Sequence, residues 1–309
     1  MEKITFDPGL TQQYSGVLKR AINKDGQFNV QRTGRTWRDL HLYLFLINAS
    51  WPAFLGWVAI AFAVVNTGFA GLYMAVGIEH LKNASAPTTA LSFLNAFFFS
   101  AHTLTTVGYG NMWPDGPATN TVAVIESLTG LMSFAIATGL LFGRFSRPSA
   151  RIAFSETMLM APYGDETSLQ FRVVNRRSNN LIELESRMLL MTVEFNGDRL
   201  RRKYVELELE RPKVLFFPLT WTVVHPITPA SPLYGKTRED LEHRQAEVLI
   251  LLKGFDDTFG QTVHTRYSYR YDEIVWGARF APAFEIEAGG NLRVEINRVG
   301  QFEGVTSSQ

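Results

Sequence analysis

Apolar and polar positions divide the sequence into two parts with different periodicities. Two apolar segments, at about residues 52–76 and 119–145, are long enough for a helix to cross a hydrocarbon core of ~30 Å at ~1.5 Å per residue. Residues 90–103 between them are apolar and aromatic but too short to cross, and they predict a re-entrant helix. The pattern therefore predicts a membrane domain over residues 50–148 with two transmembrane helices.

An amphipathic segment at residues 37–49 precedes the first span. Trp37, Leu44 and Ile47 recur on one helical face with polar residues between them, which predicts a helix lying in the membrane interface. The alternative is that this segment is simply the start of the span. Pro52 favours a break, because proline is best tolerated in the first turn of a new helix.

The second part of the chain, residues 149–309, alternates with a period of two. Strands rich in β-branched and aromatic residues are predicted at 167–174, 181–195, 202–209, 214–224, 246–253, 263–271, 283–287 and 291–296. Asn196-Gly197 and Gly289-Gly290 are typical hairpin turns, and residues 238–243 predict a single helical turn. This spacing of strands predicts an all-β sandwich.

The distribution of charge supports the membrane assignment. The 309 residues are 46% apolar and 19% charged, averages that are typical of a soluble protein. However, only four charged residues lie among the 104 residues from Leu40 to Gly143, and the other 205 residues carry 55 of the 59 charges. Lys and Arg flank the two spans on one side, which predicts a multi-pass protein of the cell (inner) membrane with both termini cytoplasmic. Residues 1–36 are polar, without a clear period or the apolar core of a signal peptide.

Composition also argues against several classes of function. The chain has no cysteine, so disulfides and thiolate metal sites are not expected, and its net charge of +1 gives no field for nucleic acid. The six histidines lack metal-ligand spacing, and the sequence has no nucleotide-binding or hydrolase motif. We therefore expect neither an enzyme nor a cofactor.

Residues 105–110, Thr-Thr-Val-Gly-Tyr-Gly, carry the signature of a potassium-channel selectivity filter. Backbone carbonyls can surround a dehydrated K⁺ if they all face one axis, which requires alternate residues with a φ that glycine reaches cheaply, as at Gly108 and Gly110. The side chains of Val107 and Tyr109 are expected to point away from the axis and pack the strand against its helix. The predicted K⁺ ligands are the carbonyls of Thr106, Val107, Gly108 and Tyr109.

One filter strand cannot surround an ion, so a homotetramer about a four-fold axis is expected. A stripe at helical spacing on the second span is predicted to line the pore, with a closing ring at its last member. Its members are Ser127, Leu131, Phe134, Thr138 and Phe142. The alternative is that the stripe is an ordinary helix-packing face.

Two other residues of the second span stand out. Gly130 is a candidate hinge, although glycine also permits close helix packing. Glu126 is the only charge inside a span. It is predicted to support the filter, and the alternative is a solvated carboxylate near the membrane surface.

Several motifs resemble those of the inward-rectifier potassium channel family, specifically its prokaryotic (KirBac-type) branch. Besides the filter, they are residues 143–148, 221–227, 231–235 and 271–280. The resemblance implies an immunoglobulin-like cytoplasmic domain that extends the pore, and it implies that residues 37–49 are the slide helix of the family. It further implies a cytoplasmic constriction formed by Gly254, Phe255, Asp256, Asp257 and Gly260. The two aspartates are candidates for concentrating cations, or else plain solvated turn residues.

Two departures from the family pattern limit these implications. Phe134 stands where strong rectifiers have an acidic residue, so strong rectification is not expected. The polybasic run after the second span is reduced, although basic residues near the membrane are candidates for binding anionic headgroups at ~1 kcal/mol each. These candidates are Arg35, Arg38, Arg144, Arg147 and Arg151. Two rival functions are a non-selective cation channel and a membrane-anchored receptor or scaffold that does not conduct.

Overall fold

The structure is a computed structural model that describes residues 9–10, 13–14, 20–34, 36, 41–146, 150–196 and 199–305. Its contacts divide the chain after residues 32 and 147 into two compact units. One unit is helical, and the other combines residues before 33 with the C-terminal β domain.

The helices are α1 Leu42–Asn48, α2 Trp51–Val76, α3 Thr89–Leu104, α4 Pro117–Phe145 and α5 Arg238–His243. The strands are β1 Gln13–Tyr14, β2 Leu81–Lys82, β3 Trp113–Pro114, β4 Ile152–Phe154, β5 Met158–Tyr163, β6 Glu166–Asn175, β7 Leu181–Asn196, β8 Arg199–Leu207, β9 Lys213–Phe216, β10 Thr220–Pro226, β11 Glu247–Asp256, β12 Gln261–Arg270, β13 Ile274–Trp276, β14 Ala278–Phe280, β15 Phe284–Ile286, β16 Leu292–Val294 and β17 Phe302–Gly304.

The helical unit contains the two long apolar helices that the sequence predicts. α2 and α4 are long and apolar enough to cross a membrane, and each has a proline in its first turn. Their ends and those of α3 lie within two residues of the predicted positions. α3 begins after Thr88, whose hydroxyl accepts a hydrogen bond from the N–H of Leu91 at 3.3 Å.

The short helix α1 is separate from the first span. The backbone is extended at Ala49 and Ser50, with ψ of 152° and 158°, so the helix stops before Pro52. The alternative that this segment is only the start of α2 is therefore wrong. None of the residues of α1 is buried. The first part of the predicted slide helix, Trp37 to Leu40, lies outside the described residues.

The β domain is a sandwich of two sheets, as predicted. One sheet has the order β1-β8-β7-β11-β12 with β9 beside β7, and the other has the order β10-β6-β5-β13 with β4 beside β6. The core between them includes Phe171, Met188, Val223 and Ile250, each at most 1% exposed. β14 with β17 and β15 with β16 form two further antiparallel pairs, and Gly290, with a φ of 81°, lies in the turn between β15 and β16.

The strand prediction was wrong in several details, and it missed the short strands β4, β13, β14 and β17. The predicted strand at 214–224 is two strands, because β9 pairs with β7 in one sheet whereas β10 pairs with β6 in the other. The chain crosses between the sheets at residues 217–219, where Pro218 has no N–H for a ladder. β5 was missed because its first four residues are all buried, so they do not alternate. The predicted turn at Gly197 lies outside the described residues.

Part of the N-terminal segment packs on the β domain. Ala21 and Ile22 are buried against a cluster that includes Tyr204 and Leu249. The N–H of Ala21 donates to both carboxylate oxygens of Glu247 at 3.1 and 3.0 Å. This part of the polar segment over 1–36 therefore belongs to the β unit, although it has no strand-like pattern.

Candidate ion-conduction site

A tight turn follows the C-terminus of α3. The carbonyl of His102 accepts hydrogen bonds from the N–H groups of Val107 and Gly108 at 2.8 and 3.3 Å. The N–H of Thr106 donates to the carbonyl of Thr103 at 3.1 Å. The predicted filter is thus fixed at its inner end by the last turn of the short helix.

The backbone of the predicted filter alternates in conformation. φ is positive at Thr106 (60°), Gly108 (55°) and Gly110 (76°) and not at Val107 or Tyr109. This is the alternation that aligned carbonyls require. The sequence predicts a positive φ at the two glycines but not at Thr106, because a β-branched residue rarely adopts one.

The side chains of the filter have few partners within one chain. Tyr109 is 74% exposed and Val107 is 51% exposed. The ring of Tyr109 meets the ring of His102 edge-on, with centroids 4.8 Å apart. One chain therefore supplies only a small part of the packing expected for these side chains.

Glu126 is completely buried among three helices. It accepts a hydrogen bond from the hydroxyl of Tyr73 in α2 at 2.6 Å and contacts the hydroxyl of Ser100 in α3. Ser100 also contacts the side-chain oxygen of Asn66 in α2 at 2.8 Å. The alternative of a solvated carboxylate is therefore wrong, and the carboxyl group joins α4 to the helix that precedes the filter.

Gly130 lies where α4 crosses the end of α3. A Cβ atom at this position would overlap the backbone carbonyl of Leu104, the last residue of α3. Helix α4 is continuous from Pro117 to Phe145. Close packing accounts for this glycine, and its function as a hinge stays a prediction.

The segment after the filter is attached to the loop that follows α2. β2 pairs with β3, and the side-chain amide of Asn83 donates to the carbonyl of Asn111 at 3.0 Å. The ammonium of Lys82 lies 3.0 Å from the carboxylate of Asp115. The hydrogen bond from Lys82 holds the pKa of Asp115 below its usual value. The sequence predicts both charges in loops but not this ion pair, because the two residues are brought together only by the pairing of β2 with β3.

The predicted pore-lining stripe is open to one side of the chain. Phe134 is 76% exposed and Phe142 is 71% exposed, while Leu131 and Thr138 are also exposed. Ser127 is half-buried, and its hydroxyl donates to the carbonyl of Ala123 at 2.8 Å. The stripe therefore has no packing partner along most of its length within the described residues of one chain, and its function in the pore stays a prediction.

Arg144 caps α1 instead of projecting towards headgroups. Its terminal nitrogens donate to the carbonyls of Leu46, Ile47 and Ala49 at 2.5, 3.0 and 2.8 Å. Its guanidinium also lies 4.6 Å from the ring centroids of Trp51 and of Phe54. The prediction of Arg144 as a headgroup ligand is replaced by a link between α1 and the end of α4. Arg151 is exposed and stays a candidate, and Arg35, Arg38 and Arg147 lie outside the described residues.

The predicted cytoplasmic constriction is only partly a loop. Gly254, Phe255 and Asp256 belong to β11, and a Cβ at Gly254 would meet the side chain of Leu184 at 2.5 Å. The turn spans residues 257–260 and ends at Gly260, with a φ of 62°.

The two aspartates, one at the end of β11 and one in the turn, have different surroundings. Asp256 is fully buried and accepts hydrogen bonds from the side-chain amide of Asn179 at 2.7 Å and from the N–H of Thr258 at 3.1 Å. It is therefore wrong as a solvent-facing cation attractor, because its carboxylate holds the turn together. Asp257 is exposed and accepts from the side-chain amide of Asn180 at 3.3 Å.

Comparisons with known proteins decide the family. Residues 152–309 match the family described as "Inward rectifier potassium channel C-terminal domain", and residues 53–147 match the family described as "Ion channel". The chain is 36% identical over 283 residues to inward rectifier potassium channel Kirbac3.1 of Paramagnetospirillum magnetotacticum, covering 90% of this chain and 94% of that protein. The chain belongs to the inward-rectifier potassium channel family.

Eukaryotic inward rectifiers are similar over nearly the same length. Human G protein-activated inward rectifier potassium channel 3 is 28% identical over 314 residues, covering 93% of this chain and 79% of that protein. Chicken ATP-sensitive inward rectifier potassium channel 12 is 27% identical over 310 residues, covering 91% and 72%. These relatives are named as ion channels and not as enzymes. The similarity to Kirbac3.1 confirms the resemblance to the prokaryotic branch, and membership of a channel family favours a channel over the rival function of a non-conducting receptor.

Proposed function

We propose that four copies of this inward rectifier form a membrane pore that conducts K⁺ passively, with the carbonyls of Thr106, Val107, Gly108 and Tyr109 as its ligands. The single observation that carries this proposal is the alternating positive φ at 106, 108 and 110, placed directly after the short helix. Because each chain contributes one such strand, a closed four-fold assembly is needed to surround the ion. This function requires no ion other than the permeant K⁺.

In this proposal, the β domain and both termini lie in the cytoplasm of a cell with the protein in its inner membrane. The positive-inside rule supports this orientation, because Lys82 is the only Lys or Arg between the two spans. The immunoglobulin-like domain would then extend the pore into the cell. Arg151 is the remaining described candidate for modulation by anionic lipid.

We place the gate at Phe142, near the cytoplasmic end of α4. Four copies of this exposed ring would close an apolar constriction by excluding water. Arg144 lies two residues further on and bonds the end of α1, so a displacement of α1 would pull on the helix that carries the gate. Glu126 supports the filter through its contact with Ser100.

Ion flux through the purified protein in liposomes tests the proposal. We expect uptake of K⁺ and Rb⁺, exclusion of Na⁺ and block by Ba²⁺, because the carbonyl ligands replace the hydration shell of K⁺. Equal Na⁺ and K⁺ flux would favour the rival non-selective cation channel. A particle mass of one or two chains in detergent would contradict the tetramer.

Truncation of the gate residue should open the pore. The Phe142→Ala variant is expected to raise resting K⁺ flux severalfold, because four alanine side chains around the pore are too small to exclude water from the constriction. Ile136→Ala is the matched control, since Ile136 is also exposed on α4 but on the face opposite the stripe. A similar flux in both variants would remove Phe142 from the gate.

A further inference from the structure

Four polar contacts run in a line through the buried interior of the helical unit. The side-chain amide of Asn66 donates to the carbonyl of Phe62 at 2.7 Å. The side-chain oxygen of Asn66 lies 2.8 Å from the hydroxyl of Ser100, which also contacts one carboxyl oxygen of Glu126. The other carboxyl oxygen of Glu126 meets the hydroxyl of Tyr73 at 2.6 Å. Each contact needs one hydrogen.

The orientation of the Asn66 amide is fixed by its surroundings. If the amide were flipped, its oxygen would face the carbonyl oxygen of Phe62, and two acceptors would meet at 2.7 Å. In the observed orientation the oxygen of Asn66 is an acceptor for Ser100. The single hydroxyl hydrogen of Ser100 is therefore required by Asn66.

An ionised Glu126 leaves this line one hydrogen short. The amide of Asn66 and the hydroxyls of Ser100 and Tyr73 supply three hydrogens for the four contacts. A proton on the carboxyl group supplies the fourth, so that Glu126 donates to Ser100 and Ser100 donates to Asn66. Every contact in the line is then satisfied.

The electrostatic surroundings agree with this count. The groups that face Glu126 are Asn66 and Tyr73 from α2 and Ser100 from α3, and among them only Tyr73 is titratable. No cation is paired with the carboxyl group within residues 41–146. A buried carboxylate without a cation is costly, and protonation removes that cost.

We propose that Glu126 is a neutral, protonated carboxylic acid at neutral pH and that it positions the pore helix by donating its hydrogen to Ser100. Removal of the proton by hydroxide leaves the carboxylate of Glu126 and the side-chain oxygen of Asn66 competing for the single hydroxyl hydrogen of Ser100. Because Ser100 lies one turn before the last residue of α3, this loosens the helix that fixes the filter. Potassium flux should therefore fall at alkaline pH. This consequence for flux rests on the proposed function, whereas the protonation state does not.

Infrared spectroscopy of the purified protein tests the protonation state directly. At neutral pH we expect a carbonyl stretching band of a protonated carboxylic acid that shifts in D₂O and is missing from the Glu126→Gln variant. Tyr73→Phe should keep the band, because it removes one contact together with the hydrogen that served it. The remaining contacts still lack one hydrogen unless Glu126 is protonated. A wild-type spectrum without this band at neutral pH would overturn the proposal.

Flux as a function of pH tests the positioning role. Wild-type flux is expected to fall about tenfold at alkaline pH, as one buried contact is lost. Glu126→Gln retains all four contacts without a titrating group, so its flux should not fall with pH. Ser92→Ala, which removes another buried hydroxyl of α3, should keep the wild-type pH profile.

Two flux results would count against this role. One is equal alkaline sensitivity of wild type and Glu126→Gln, and the other is a loss of flux in Glu126→Gln as complete as in Glu126→Ala. If the protein conducted no K⁺ at all, the proposed function would fail, but the infrared band would still decide the protonation of Glu126.

Discussion

Replacement of Gly108 by alanine is expected to abolish selective K⁺ flux. The φ of 55° at this position costs about 1–2 kcal/mol for a residue with a Cβ, and the proposed tetramer carries four such positions around one ion path. No atom of the same chain lies within 4 Å of the added Cβ, so within the chain the effect acts through the backbone conformation and not through a clash. Flux of K⁺ and Na⁺ in liposomes is the measurement.

Gly71→Ala is the matched control for this variant. Gly71 is helical, lies in α2 and also has open space around its Cβ position, so alanine should leave flux unchanged or stabilise the helix slightly. Wild-type selectivity in Gly108→Ala would contradict the assignment of the filter. An unassembled Gly108→Ala protein would instead show that the filter conformation is needed for the tetramer itself.

Replacement of Gly130 by alanine is expected to prevent assembly of a stable protein. The added Cβ would overlap the carbonyl of Leu104, which is backbone at the end of α3 and cannot rotate away as a side chain does. Overpacking of this kind costs about 1–3 kcal/mol or more for each chain. Particle mass in detergent and the melting temperature measure the effect.

Gly139→Ala on the same helix is the control for this effect, because nothing lies within 4 Å of its Cβ position. The comparison also separates packing from a hinge at Gly130. If Gly130 acts only as a hinge, Gly130→Ala should assemble normally and change only the flux. If Gly130 is needed for packing, the variant should have a lower melting temperature. Normal assembly of Gly130→Ala would contradict the packing explanation.

Local patterns in the sequence predicted the elements that depend on local physics. Transmembrane length is a property of one continuous apolar run, so α2 and α4 were found to within two residues. The conformational demand on Gly108 and Gly110 is likewise local, because glycine is the residue that adopts a positive φ without cost.

The features that were missed depend on contacts between distant residues. Nothing near Glu126 in the sequence indicates that Tyr73 and Ser100 bury it. Arg144 looks like one of several basic residues at a membrane surface until the carbonyls at the end of α1 are seen around it. Asp256 resembled a solvated turn residue because its partner, Asn179, lies in a different loop.

The exposed filter of the single chain has a genetic consequence. Tyr109 is three-quarters open to its surroundings, and in the proposed tetramer each chain depends on its neighbours to complete the one path that ions take. One defective filter strand should then abolish selective conduction by a tetramer whose other three strands are intact. If equal amounts of wild-type and Gly108→Ala chains mix at random in a cell, roughly one tetramer in sixteen contains only wild-type strands. Such a variant would therefore be strongly dominant, whereas a chain that fails to assemble would be recessive.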